Sequence, residues 1–130
     1  MKPWTDEYIE IPFVCDGRDR SGCDCWGLVR LVYAERLGIN LPSFPGTLKD
    51  GSVASLKRAA RLAEQQQQMW VKVADPQPFD VILFGAHVGL YVSQTEMLHI
   101  EIGKNSCVQD HNGLEFKSIK TGYFRHAKRV

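Results

Sequence analysis

Four short segments rich in β-forming residues follow one another closely in the second half of the chain, and they constrain the fold more than any other feature. They read DVILFG, HVGLYV, EMLHIEIG and SCVQD. Each segment has about the length of one strand, and turn-forming residues separate it from the next. The sequence therefore predicts an antiparallel β-meander.

The chain before these segments has helical patterns instead. A short helix is predicted at residues 5–10, with its N-cap at the first of them. The first strong helix is predicted from Asp24 or Cys25 to Gly38, because apolar residues recur there at helical spacing and glycine suits a C-terminal stop. A further helix is predicted at residues 53–68. Helices followed by strands indicate an α+β fold in which N-terminal helices pack on an antiparallel β-sheet.

Length, composition and charge narrow the class of protein. The chain has 130 residues, 44% of them hydrophobic, which suits one compact domain over residues 1–130. The net charge of +1 gives no electrostatic footprint for nucleic acid, so we expect no nucleic-acid partner. No apolar run is long enough for a membrane span, and the N-terminus lacks the pattern of a signal peptide. We therefore expect a protein made in the cytoplasm without a signal peptide, whose four cysteines do not form disulfides.

Cys25 lies at the predicted start of the first strong helix, directly after a loop rich in Gly, Asp and Arg. Cysteine acts as a nucleophile only as the thiolate, and the N-terminus of a helix stabilises that anion. We therefore expect a lowered pKa for this thiol. Gly22 and Gly27 reduce the side-chain bulk nearby, which leaves room for a substrate backbone. A general base has to come from elsewhere in the chain.

Two histidines in the predicted meander are candidates for that base. His87 begins HVGLYV and His99 lies in EMLHIEIG. If the two strands form a hairpin, both side chains can share one face of the sheet and lie nearly opposite each other. The geometry therefore permits a Cys25–His87–His99 triad. The residues alone also permit an inert buried thiol and two half-buried structural histidines, which are the more common roles of such residues.

Three sequence blocks resemble the NlpC/P60 family of cysteine peptidases. The first is PFVCDGRDRSGCDCWGLVRLVY, in which a Gly-rich loop leads to Asp-Cys and then to Gly-Leu-Val on a helix. The second is FDVILFGAHVGLYV, an Asp-initiated strand followed by His-Val-Gly. The third is EMLHIE, with a histidine in the following strand. The blocks occur in the family order with fitting gaps, and the chain is similar to the phage-tail branch of the family.

This resemblance implies a reduced papain-like fold and no metal or other cofactor. It implies that Cys25 is the nucleophile, His87 the general base and His99 the residue that orients His87. The implied substrate is a peptidoglycan stem peptide, cut between D-glutamate and a diamino acid. The phage-tail branch resembles the tail-tip assembly proteins of lambda-like phages, which implies a virion-tail or prophage-encoded protein with other tail proteins as partners.

The chain departs from the family pattern at two positions. Trp26 follows the candidate nucleophile, where cell-wall members often have serine. Phe13 lies twelve residues before Cys25, where family members often carry a tyrosine whose hydroxyl helps the oxyanion site. Phenylalanine keeps the aromatic ring and loses the donor. The resemblance then leaves the backbone N–H of Cys25 as the obvious oxyanion donor.

Other roles for the polar residues compete with this interpretation. A zinc site could use Cys15, Cys23 and Cys25 with a histidine, although the C-x7-C-x-C spacing does not match the paired C-x2-C of structural zinc sites. Asp24 is expected to cap the helix. His111 and His126 are expected to be solvated, and Asp80 is expected to be a turn residue. None of the three is expected to be catalytic.

Two other functions remain open from the sequence. The chain could be a structural component of a phage tail that keeps the peptidase fold with weak or no activity. It could also be an amidase or acyltransferase, because the same nucleophilic machinery can act on a different carbonyl.

Overall fold

The structure is a computed structural model that describes residues 3–42, 69–85 and 87–130; the helix predicted at residues 53–68 lies outside these ranges. None of the helices in these ranges is long and apolar enough to cross a membrane. The helical elements are a 3-10 helix at Trp4–Tyr8, α1 (Cys25–Val32), a π-helical continuation at Tyr33–Leu37, α2 (Leu114–Lys117) and a 3-10 turn at Ala127–Arg129. The strands are β1 (Arg18–Asp19), β2 (Gly22–Cys23), β3 (Trp70–Val73), β4 (Val81–Phe84), β5 (His87–Tyr91), β6 (Glu96–His99), β7 (Cys107–Asp110) and β8 (Gly122–His126).

Within the described ranges, six strands form one antiparallel sheet in the order β3-β8-β4-β5-β6-β7. Strands β4 to β7 are neighbours in the order in which they occur in the chain, so the predicted meander is confirmed. The two strands of the candidate histidines, β5 and β6, pair antiparallel with Leu90 opposite Leu98 and Tyr91 opposite Met97.

Strand β8 is an element that the sequence analysis did not predict. It inserts between β3 and β4, pairing Trp70 with His126 on one side and Val81 with Phe124 on the other. Its partners lie about 40 to 55 residues earlier in the chain, and local patterns carry no information on pairing at that separation.

The predicted strong helix is confirmed, in two parts. Helix α1 begins at Cys25 and continues through one wider π-helical turn, which ends where Gly38 adopts a left-handed conformation with φ of +65°. Glycine reaches this conformation at no steric cost, which explains the stop. The predicted N-terminal helix is a 3-10 helix preceded by Pro3, so the expectation that Thr5 caps it is wrong. Thr5 lies inside the helix and is buried.

The sheet has an apolar cluster on each face. One face packs against α1, and its cluster includes Leu28, Val32, Leu90 and Leu98. On the other face a smaller group lies around Phe116 of α2: Ile82, Phe84, Tyr91 and Met97. Burying each large side chain of this kind contributes about 1.5–3 kcal/mol, so the two clusters hold the helices to the sheet.

Candidate active site

Asp24 organises the start of α1. Its Oδ1 accepts a hydrogen bond from the backbone N–H of Gly27 at 2.7 Å, which is the bond of a helix N-cap. The same buried carboxylate accepts from the backbone N–H of Asp16 at 3.1 Å and from Arg18 Nη1 at 2.8 Å. The expected capping role is confirmed. The cap fixes where the helix begins, and so it places Cys25 in the first turn.

The thiol of Cys25 is buried, with 4% of the residue exposed. Burial, and next the carboxylate of Asp24, raises its pKa from 9.0 to about 12. The backbone N–H groups of Val88, Trp26 and Cys25 itself act in the opposite direction and are outweighed. The expectation of a lowered pKa is therefore wrong in this structure. The helix N-terminus is present, but desolvation of the charged sulfur is the larger effect.

His87 and His99 lie side by side, in ring contact with Phe84 and Phe116 respectively. Nε2 of His87 is 3.0 Å from Nδ1 of His99, and the two ring planes are inclined at 74°. Beyond the two paired positions of β5 and β6, Gly89 lies next to His99: a Cβ built on this glycine would lie 3.4 Å from the Cβ of His99 and 2.9 Å from the sulfur of Met97. The two histidines are therefore diagonal neighbours, and the glycine between them leaves room for their contact.

The second nitrogen of His99 also has a partner. Nε2 of His99 is 2.7 Å from Oε1 of Gln109 on β7, and Nε2 of Gln109 donates to Glu115 Oε1 at 3.1 Å. The ring of Phe116 packs edge-on against His99 with centroids 5.5 Å apart. Neither Gln109 nor Glu115 was predicted from the sequence as a site residue. The only available signal was that SCVQD forms a strand, and its register against β6 was not predictable.

Both imidazoles are held neutral near pH 7. Burial, and next the neighbouring His99, lowers the pKa of His87 from 6.5 to about 4. Burial also lowers the pKa of His99, and the hydrogen bond to Gln109 opposes this shift. A neutral imidazole carries a lone pair on one nitrogen, so either ring can act as a base.

Cys25 and His87 come from neighbouring elements, because α1 packs against β5. The sulfur lies beside the backbone N–H of Val88, the residue that follows His87. Among the hydrogen bonds of the described residues, none joins the thiol to the His87 ring, which is bonded to His99. Catalytic hydrogen bonds are often long or absent without substrate and form in the substrate complex. The structure thus holds a neutral thiol next to a strand that carries a neutral imidazole.

The two positions that depart from the family pattern, and the buried Cys23 that pairs with one of them, flank the candidate nucleophile in the sequence. Phe13 is half-buried, packs against the core and forms a parallel β-bridge with Cys23. Cys23 is fully buried, its thiol donates to the carbonyl of Asp19 at 3.0 Å, and burial raises its pKa to about 11. Trp26 donates from Nε1 to the carbonyl of Pro42 at 2.7 Å.

The expectation that His111 and His126 are solvated is wrong. His111 is 1% exposed and bonds through Nε2 to the carbonyl of Ser93 and through Nδ1 to Lys120. His126 is 2% exposed at the end of β8, with its ring edge-on to Trp70. Their turn-like and basic surroundings in the sequence conceal contacts with distant strands. Both lie in structural clusters apart from the His87–His99 pair.

Asp80 lies in the turn before β4, as expected, and its carboxylate is fully buried. It accepts from Arg125 at 3.0 and 2.7 Å and from Arg129 at 2.7 Å. A buried carboxylate requires such paired donors. These bonds tie the C-terminal strand and the turn that follows it to the start of the meander, which is a structural role.

A cysteine at the start of a helix, packed on an antiparallel sheet that carries a histidine pair, is an arrangement typical of papain-like cysteine peptidases. Residues 10–127 match the model of the NlpC/P60 family, and the chain belongs to this family.

Curated relatives of this chain include peptidases. It is 30% identical to the gamma-DL-glutamyl hydrolase of Bacillus subtilis over 93% of the chain and 27% of the relative. It is 24% identical to a probable endopeptidase of Haemophilus influenzae over 93% of the chain and 65% of the relative. It is 29% identical to the dipeptidyl-peptidase 6 of Lysinibacillus sphaericus over 75% of the chain and 30% of the relative. The chain thus spans less than two thirds of each of these relatives.

Solved structures share the fold. The NlpC/p60 domain of the peptidoglycan hydrolase SagA superimposes with a TM-score of 0.58 at 20% identity, covering 82% of each chain. An NlpC/P60 family protein from Bacillus cereus superimposes with a TM-score of 0.69 at 20% identity, covering 93% of this chain and 37% of that one. The predicted reduced papain-like α+β fold is confirmed.

Proposed function

We propose that this chain is a cysteine peptidase domain that cleaves peptidoglycan stem peptides, with Cys25 as nucleophile, His87 as general base and His99 as the residue that orients His87. One observation carries the proposal. Cys25 lies in the first turn of α1, which packs against β5. The first residue of β5, His87, is hydrogen-bonded to His99 at 3.0 Å. Membership of the NlpC/P60 family supports the same assignment.

Acylation starts from the neutral pair. When a substrate carbonyl reaches the thiol, the sulfur of Cys25 forms a bond to the carbonyl carbon and its proton passes to the free nitrogen of His87. The carbonyl electrons move to oxygen, and the backbone N–H of Cys25 donates to the resulting oxyanion. The C–N bond then breaks, the leaving amine takes the proton from His87, and an acyl-thioester remains on Cys25.

Deacylation reverses these roles with water. His87 accepts a proton from a water molecule, whose oxygen attacks the thioester carbon. The C–S bond breaks, the proton returns to the sulfur, and the carboxylic acid product leaves. Throughout the reaction, Nδ1 of His99 accepts a hydrogen bond from Nε2–H of His87. This bond stabilises the imidazolium that forms on His87 in each half-reaction.

The proposed bond is the one between D-glutamate and a diamino acid. Support for it comes from the sequence resemblance and from the similarity to a Bacillus subtilis protein named gamma-DL-glutamyl hydrolase. We further propose that residues 1–130 act as one domain in the tail of a phage or prophage, in contact with other tail proteins. Trp26, which replaces the serine of many cell-wall members, supports that branch.

A second candidate is a tail component that keeps the fold with weak or no activity. Phe13 favours it, because a phenylalanine at this position lacks the hydroxyl donor of the family's tyrosine. An amidase or acyltransferase would use the same acyl-enzyme on a different carbonyl or with a different acceptor.

Digestion of purified muropeptides, followed by mass spectrometry, tests the proposal. The wild type should give two fragments that together gain one water, with the new carboxyl on D-glutamate. Cys25→Ala should give neither fragment, and Cys15→Ala, which removes an exposed thiol, should cut like the wild type. Equal cutting by Cys25→Ala would refute the nucleophile. Release of the whole peptide would indicate an amidase, and products without added water an acyltransferase. An intact substrate with folded wild type would favour the inactive tail component.

A further inference from the structure

We propose that Gln109, held by Glu115, fixes the tautomers of both site histidines, so that Nδ1 of His87 is the basic nitrogen. The inference rests on the proposed function for its catalytic meaning. It assigns positioning roles to two residues whose side-chain hydrogen bonds among the described residues go to His99 and to each other. One hydrogen-bond chain joins the four residues, in the order Glu115–Gln109–His99–His87.

The direction of the chain is set at Glu115. An ionised carboxylate only accepts hydrogen bonds, so the group that faces Glu115 Oε1 at 3.1 Å must be the amide nitrogen of Gln109. The amide oxygen of Gln109 then points the other way, to His99 Nε2 at 2.7 Å. An amide oxygen only accepts, so Nε2 of His99 must carry a proton.

The same logic passes through His99. Burial lowers the pKa of this imidazole, so the ring carries one proton near neutral pH. That proton is on Nε2, which leaves Nδ1 as an acceptor. The nitrogen of His87 that lies 3.0 Å away, Nε2, must therefore donate.

His87 is neutral for the same reason and also carries one proton. With that proton on Nε2, the lone pair is on Nδ1, the nitrogen that does not face His99. This is the nitrogen free to accept a proton from the thiol. Without the amide oxygen of Gln109 as an acceptor, nothing would hold the proton on Nε2 of His99, and the opposite tautomer of both rings would become possible.

One other carboxylate lies near His99. Oε1 of Glu101 is 3.8 Å from His99 Nε2, which is beyond hydrogen-bond distance, and its side chain is 37% exposed. The positive charge of Lys104 acts on His99 from the same turn. Neither group fixes the direction of the chain. By contrast, α2 supplies both the carboxylate that holds Gln109 and Phe116, which packs against the His99 ring.

Nuclear magnetic resonance of protein labelled with 15N-histidine reads the tautomers without needing activity. In the wild type, Nε2 of both rings should carry the proton. In Gln109→Leu, a second tautomer should appear for His99 and His87. Glu115→Gln should give an intermediate mixture, because a glutamine at 115 can donate as well as accept. Glu101→Gln should keep the wild-type tautomers.

An exchange variant gives the sharpest test. In the double variant Gln109→Glu with Glu115→Gln, the carboxylate at position 109 accepts from Nε2–H of His99. The amide at position 115 donates to that carboxylate, so the wild-type tautomers should return. Kinetics on the cleaved peptide should follow the same order: kcat should fall on the order of tenfold in Gln109→Leu with KM unchanged, and recover in the exchange variant.

Several outcomes would overturn the inference. These are a proton on Nδ1 of His87 in the wild type, unchanged tautomers in Glu115→Gln and Gln109→Leu, or a shift caused by Glu101→Gln instead. Should Gln109→Leu fail to fold, Glu115→Gln still decides, since Glu115 is exposed. Wild-type protein with the expected tautomers and no cutting of muropeptides would refute the proposed function alone.

Discussion

Lowering the pH from 7 to 5 should destabilise the protein through its buried histidines, and His87 allows the effect to be worked out. Burial and His99 lower its pKa from 6.5 to about 4 in the folded state. In the unfolded chain the imidazole binds a proton near its ordinary pKa of about 6.5. Between these two pH values the unfolded state holds more protons than the folded state. The stability is therefore undiminished above about pH 6.5 and falls as the pH drops toward 4.

The size of the loss follows from the two pKa values. A single group that titrates near 6.5 when unfolded and near 4 when folded removes about 2 kcal/mol of unfolding free energy between pH 7 and pH 5. Small domains have only about 5–15 kcal/mol in total. The pKa values of the other three histidines are lowered by burial too, so they add to the loss in the same direction: His99, His111 and His126.

Urea unfolding of the wild type and of His87→Gln at pH 7, 6 and 5 isolates the contribution of His87. Glutamine keeps an N–H donor for His99 and does not titrate. The difference in unfolding free energy between the two proteins cancels the carboxylates and histidines that they share. Relative to the variant, the wild type should lose about 2 kcal/mol between pH 7 and pH 5.

Gln94→Ala serves as the matched control, because Gln94 is an exposed, uncharged residue in the turn between β5 and β6. The difference in unfolding free energy between Gln94→Ala and the wild type should be the same at each pH. If the difference for His87→Gln is also constant, or if it grows in the opposite direction, the imidazole is not held neutral by burial and the reasoning is refuted.

Three further predictions concern the start of α1, the reactivity of the thiols and the aromatic residue at position 13. Gly27→Ala should lower the unfolding free energy by about 2 kcal/mol or more in urea, although alanine favours helices by about 1 kcal/mol, because its Cβ would lie 2.0 Å from the carbonyl oxygen of Gly17. Iodoacetamide near pH 7 should modify exposed Cys15 before Cys25, whose pKa is raised to about 12, and peptide mapping after partial labelling measures the order. Phe13→Tyr should raise kcat modestly with little change in KM if its hydroxyl reaches the oxyanion. The activation free energy should fall by less than the roughly 2.7–4 kcal/mol that a full oxyanion donor contributes. A slower variant with a lower thermal midpoint would instead identify position 13 as core.

Local patterns were enough for the elements that carry the candidate site. The helix starts at Cys25 because Asp24 caps it, and it stops at Gly38 because glycine alone reaches that conformation cheaply. The meander followed from short alternating segments between turns. Because side chains alternate along strands, placing β5 next to β6 also brought His87 and His99 to one face.

Long-range pairing was not predictable. The burial of His126 depends on β8 lying beside β3, and that of His111 on Lys120 and a turn eighteen residues earlier. Gln109 reaches His99 only because β7 pairs with β6 in one particular register, in which it lies opposite Met97. A shift of one residue would have turned it to the other face.

The protonation of Cys25 is the point at which a correct local reading gave a wrong result. A helix N-terminus favours the thiolate, but the same sequence supplies Asp24 as its cap and packs the sulfur against β5. Burial therefore disfavours a free thiolate before substrate arrives. Burial also lowers the pKa of His87, so its imidazole is neutral and carries a lone pair. In the proposed reaction the proton leaves the sulfur as the new bond forms, and that coupling requires a correctly placed lone pair on His87.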